Sequence, residues 1–157
     1  MAIVAIFKDI EPHFFKMKLL QNSKELMRGI LAFSLISIGI LHFVSPEPFI
    51  KIVPSILPYP LALVYISGIF EILGGFGLLI PSFSRATAWG IIALFIAVFP
   101  ANINQAINQI SLEGVPDNPW LYYARLPLQA VLIAWAWWYT RPNKLGKQLS
   151  IVPKDWQ

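Results

Sequence analysis

Glu71 lies near the middle of an apolar run from Leu61 to Ile80, where a lipid bilayer would have its midplane. An ionisable group at that depth costs roughly 2.5 to 3.5 kcal/mol on insertion scales, so it normally turns inward and finds a partner. Three other residues have chemistry that could share a site with it. His42, Asn102 and Arg125 each fall in a different apolar stretch. A carboxylate in such company can accept or relay a proton, while an imidazole, an amide and a guanidinium can hydrogen-bond the oxygens of a bound polar head. His42, Glu71, Asn102 and Arg125 are therefore the candidate ligand-binding set, with Glu71 the candidate proton relay. A polar network that only fixes helix packing accounts for the same residues about equally well.

Composition says what solvent these residues sit in. The chain has 157 residues, 57% of them hydrophobic and 13% charged, whereas soluble domains carry about 25% charged residues. That imbalance predicts an integral membrane protein. No polar linker or internal repeat divides the chain, so one membrane domain is expected over 26–142, between a basic tail at 1–25 and another at 143–157. The net charge is +4, but the basic residues sit toward the two ends rather than in a stripe, which argues against a nucleic-acid partner. Cysteine is absent. That excludes disulfides, thiolate metal sites, iron–sulfur clusters and thiol exchange within this chain. With His13 and His42 as its two histidines, neither a haem nor a metal site is expected, and no covalent cofactor. Electrons for any redox role must come from a bound small molecule or a partner.

A bilayer core about 30 Å thick takes about 20 apolar residues in a helix. Four stretches qualify, near 26–44, 61–80, 86–106 and 121–140, so the expected fold is all-α: a polytopic four-transmembrane-helix bundle. Pro60 and Pro81 bound the second span, and Trp135, Trp137 and Trp138 anchor the end of the fourth. Lys8, Lys16, Lys18, Lys24 and Arg28 precede the first span, Arg85 lies between the second and third, and Arg141, Lys144, Lys147 and Lys154 follow the fourth. The other two connections hold Lys51 beside Glu47, Glu113 and Asp117. The positive-inside rule then places both termini in the cytoplasm, in a plasma or bacterial inner membrane. In the first tail, Phe7, Ile10, Phe14, Phe15, Leu19 and Leu20 among lysines predict either an interfacial amphipathic helix or a frayed tail. His13 has no assigned role there.

With this orientation, residue counts give depths. Arg125 comes about 6 to 9 Å below the outer surface and Glu71 about 16 Å below it. His42 ends the first span, and Asn102, Asn104, Gln105 and Asn108 end the third, at a similar level. A Glu71–Arg125 gap of about 7 to 10 Å along the axis leaves room for a pair made directly or through water. Gly68, Glu71, Gly75 and Leu78 share one helical face, and Gly39 lies three residues before His42, so close helix approach is expected around the carboxylate. Pro100 and Pro127 should leave the Ile96 and Tyr123 carbonyls without their usual donors. The connection from Ser45 to Pro60 holds five prolines, with Phe49, Ile50, Ile52, Val53, Ile56 and Leu57. So apolar a loop predicts a short interfacial segment across the outer mouth of the bundle, either a lid or, more conservatively, a segment that only lies on the membrane surface.

The stretches GILHFVSPEPFIKIVPSILP, SGIFEILGGFGLLIP, AWGIIALFIAVFPANINQAI and RLPLQAVLIAWAW resemble the DoxX-like family of small four-span membrane proteins, from about Arg28 to Pro142. The resemblance implies the four-helix fold and carries over to His42, Glu71, Asn102 and Arg125. The family takes its name from a membrane subunit of a thiosulfate:quinone oxidoreductase, and relatives are described as redox-associated proteins or assembly partners. It thus implies a redox-associated subunit that binds a quinone or similar amphiphile in the outer half of the bundle and acts within an oxidoreductase complex rather than alone. The competing expectation is a non-catalytic scaffold or assembly factor. Membrane lipid, a membrane-protein or oxidoreductase partner and a second copy of the chain are the partners to consider. Proton or solute transport through Glu71 is less favoured, since four spans without repeat symmetry offer little to alternate.

Overall fold

In the computed structural model the backbone is described over residues 2–111 and 118–141, and the side chains over 22–111 and 118–141. The fold is all-α, with no strand among the described residues. In chain order the helices are α1 (Ala2–Val44), α2 (Glu47–Ile52), α3 (Pro60–Leu79), α4 (Ser84–Asn108) and α5 (Pro119–Thr140). The backbone of the first tail continues into α1 as one helix. Its side chains before residue 22, including His13 and the expected amphipathic face, lie outside the described residues, as do Glu113, Asp117 and the tail at 143–157.

Local chemistry sets the helix ends. Pro60 and Pro119 occupy first-turn positions, where a missing N–H costs nothing. The Asn118 side chain caps α5 by accepting from the Trp120 amide at 3.0 Å. Ile80, the residue before Pro81, is extended and closes α3, as the proline ring requires of its predecessor. α4 ends on Gln109, left-handed at φ 48°, whose N–H returns to the Gln105 carbonyl. Both α4 and α5 run on through their internal prolines, Pro100 and Pro127.

Three helical segments are long and apolar enough to cross a membrane among the described residues: Asn22–Val44, Pro60–Leu79 and Ser84–Asn108, with mean hydropathies of 1.8, 1.8 and 1.9. Large apolar side chains such as Phe33, Leu73, Ile96 and Val131 face outward, an arrangement a water-soluble bundle does not tolerate over so much surface. Four spans were expected. α5 has the length, at 22 residues, but its Arg, Gln, Tyr and Trp content lowers its hydropathy.

α1 packs along α3, α4 along α5, and the two pairs meet through α3 and α4. Glycines make the first contact close. A Cβ placed on Gly68 would lie 2.8 Å from His42 Cβ and 3.0 Å from the Gly39 carbonyl, and one on Gly75 would meet the Ala32 carbonyl at 2.7 Å. Gly74 and Gly77 do the same against Ile91 and Thr87 of α4. The expected Gly68, Glu71, Gly75 and Leu78 face is buried as a unit. The apolar core gathers at the end of the bundle near the α3–α4 turn, from Leu31 and Leu35, Leu78, Ile91 and Phe95, and Ala136 and Tyr139. There the Tyr139 hydroxyl donates to the Lys24 carbonyl at 3.2 Å and ties α5 to α1. Toward α2 the helices leave the interior unfilled.

Candidate functional site

The unfilled half is a cavity of about 680 Å³ bounded by all five helices, within the roughly 300–1,000 Å³ typical of small-molecule sites. Its walls are mostly apolar, and its polar groups are His42, Ser67, Glu71, Asn102, Arg125 and Gln129. The four residues selected from the sequence thus border one space, from four different helices. α2 and the segment after it form a roof through Phe49, Ile52, Val53, Pro54 and Leu57. The Phe49 ring stacks on the His42 imidazole at 3.9 Å and 21°. Asn104 clips the roof to α4 by donating to the Ile52 carbonyl at 2.9 Å. The expected segment across the mouth is therefore α2, held on two sides.

Backbone carbonyls, which can only accept, fix the direction of His42 directly and of Asn102 and Arg125 through two glutamines. The Ile38 carbonyl lies 2.8 Å from His42 Nδ1, so that nitrogen carries a proton and Nε2 is the one left for other work. The Phe95 carbonyl accepts from Gln129 Nε2 at 2.7 Å, which turns Gln129 Oε1 toward Asn102 Nδ2 at 3.2 Å. The Ile110 carbonyl accepts from Gln105 Nε2 at 3.3 Å, which turns Gln105 Oε1 toward Arg125 Nη1 at 2.9 Å. Asn102 and Arg125 are thereby held in fixed poses with hydrogen-bonding capacity left over.

Glu71 is the exception. It is 7% exposed, and its Oε2 has no hydrogen-bond partner. His42 Nδ1 approaches that oxygen at 3.4 Å, but its proton is already directed at Ile38, so the contact is a proximity of two ionisable groups rather than a hydrogen bond. A buried oxygen left unmatched costs about 1–3 kcal/mol, more if charged.

The Glu71–Arg125 pair for which the sequence left room is not formed. Arg125 takes Gln105, and Glu71 faces His42. Gly39 and Gly68 bring α1 against α3 and so set His42 beside the carboxylate, while Gln105 lies on the α4 face that packs on α5. Pro100 was expected to free the Ile96 carbonyl, yet the interhelical bond lands one residue earlier, on Phe95. Gln129 is not among the residues singled out from the sequence, and Gln105 is placed there only within a polar helix end. The signal was present in both, since Gln105 follows Asn102 by three residues and Gln129 follows Arg125 by four, which puts each pair on one helical face.

A family model described as Domain of unknown function (DUF8561) matches residues 31–140, an interval that contains all four candidate residues, the roof and both glutamines. The chain belongs to the DUF8561 family. No curated protein and no solved structure matches it. The match begins inside α1 and closes at the last residue of α5, so it takes in the cavity and its roof without either tail.

Proposed function

We propose that this DUF8561 protein is a membrane-embedded, redox-associated subunit that holds the polar head of a quinone or similar amphiphile in the cavity. Arg125 and Asn102 donate to the head oxygens, His42 offers Nε2, and Glu71 passes a proton to or from the bound head. Electrons come from an oxidoreductase partner in this reading, since the chain has no cysteine to carry thiol or iron–sulfur chemistry. α5 is the fourth span in this reading, both termini are cytoplasmic, and the cavity lies in the outer half of the bundle. The resemblance to DoxX-like proteins supports the same reading. The observation that carries it is Glu71 Oε2, a buried, unmatched oxygen on the wall of a small-molecule-sized cavity.

A second reading has its own support. The close contact of Gly39 with Gly68 and the glutamine-centred links between α4 and α5 are what a scaffold or assembly factor would use to fix its packing. Binding of a decyl-tailed quinone to the purified protein in lipid nanodiscs separates the two. A site of one quinone per chain, lost in Glu71→Gln protein that remains helical and inserted, is expected. No saturable binding by wild type would leave the scaffold as the function.

A further inference from the structure

Side chains lie across both ends of the cavity. At one end stands the roof, with Phe49 stacked on His42 and Ile52 clipped by Asn104. At the other stands the core of Leu31, Leu35, Leu78, Ile91 and Phe95. The sides are different. At about 100° per residue, the cavity-lining positions of α3 sweep around the helix from Glu71 through Ser67 and Leu63 to Phe70 and Ile66. Exposure rises along that arc from 7% at Glu71, through half-buried Ser67, to 56% at Phe70 and 50% at Ile66. α4 mirrors it. Phe95 is buried, Val98, Leu94 and Ala101 are half-buried, and Ala97 is exposed, yet all five line the same cavity. The two helices touch closely near their shared turn, at Gly74 with Ile91 and Gly77 with Thr87. Farther from the turn both face the cavity, and α4 presents small side chains at Ala97 and Ala101.

We infer that the cavity opens sideways into the hydrocarbon layer between α3 and α4, and that its ligand is a lipid-dissolved, long-tailed amphiphile which enters head first and leaves its tail between Ile66, Phe70, Ala97 and Ala101. This rests on the proposed head-group site. A solute from the outer aqueous phase would have to displace the roof, while a lipid-borne molecule needs no such movement. The tail therefore belongs to recognition, and the apolar side walls extend the polar site rather than fill space.

The test uses a quinone carrying a photoreactive diazirine near the end of a decyl tail, added to the full-length protein in nanodiscs, illuminated, and mapped by peptide mass spectrometry. Adducts on Ile66, Phe70 or the Ala97–Ala101 stretch, competed by excess decylquinone, are expected. Ala97→Phe with Ala101→Phe should cut that labelling at least tenfold, while a tailless quinone should compete poorly. Competable adducts on Ile56, Leu57 or elsewhere in the roof would overturn lateral access while leaving the head-group site standing. Adducts that neither excess decylquinone nor Glu71→Gln diminishes would mean nonspecific lipid-phase labelling and would overturn both.

Discussion

Arg125, Asn102 and His42 each owe their pose to a backbone carbonyl that can only accept. The clearest consequence concerns Gln129, whose amide satisfies Phe95 on one side and Asn102 on the other. Replacing it by Leu removes both bonds and leaves two polar groups unmatched. Gln129→Leu should lower stability by about 1–3 kcal/mol, read as a drop in thermal midpoint in detergent, and should also weaken quinone binding by releasing Asn102. Arg125→Gln addresses the head group more directly. Hydrogen bonds to charged groups contribute about 1.5–3 kcal/mol, so quinone affinity should fall by roughly ten- to a hundredfold, with little change in helicity because Arg125 has no carboxylate partner among the described residues. Unchanged affinity in titrations of Arg125→Gln nanodiscs would remove Arg125 from the site.

At the scale of the helices, the close approach of α1 to α3 is what places His42 beside Glu71. Gly68→Ala puts a methyl at 2.8 Å from His42 Cβ, and overpacking of this kind typically costs about 1–3 kcal/mol. Loss of thermal stability together with weakened ligand binding is expected. Gly29→Ala, which meets nothing within 4 Å, is the control that should do neither. The positions of α3, α4 and α5 and the ends of α3 were legible in the sequence, because Pro60, Pro81 and the apolar runs mark them chemically, whereas the start of α1 was not. That His42, Glu71, Asn102 and Arg125 could border one space was legible too, since position along a helix follows from residue count and rise. Which of them touch was not. A helix in lipid is apolar on its outer face as well as its inner one, so hydrophobic periodicity does not report its rotation. That rotation decides whether Glu71 meets Arg125 or His42, and whether Gln105 and Gln129 point inward. The glycines hinted at it for α1 and α3, and the Asn102–Gln105 and Arg125–Gln129 spacings marked a polar face on α4 and α5 without saying which partner each face meets.

For the molecule as described, one half of the bundle is packed and the other is hollow, and the hollow half holds the four candidate residues and Gln129. The absence of cysteine makes the proposed topology easy to check. Ser55→Cys should react with a membrane-impermeant maleimide on intact cells, and Gln157→Cys only after permeabilisation. Labelling of both from outside would mean that α5 is not a fourth span. The bundle must also keep its hollow half from collapsing, and a resident amphiphile would do that while satisfying Glu71. The most direct test of the central claim is therefore mass spectrometry of small molecules that co-purify with the protein from its own membranes in mild detergent, wild type against Glu71→Gln at matched yield. A stoichiometric quinone or related long-tailed amphiphile in wild type, absent from the variant, is the expected result. A folded wild-type protein that carries no such molecule, or carries the same one at the same level after Glu71→Gln, would contradict it.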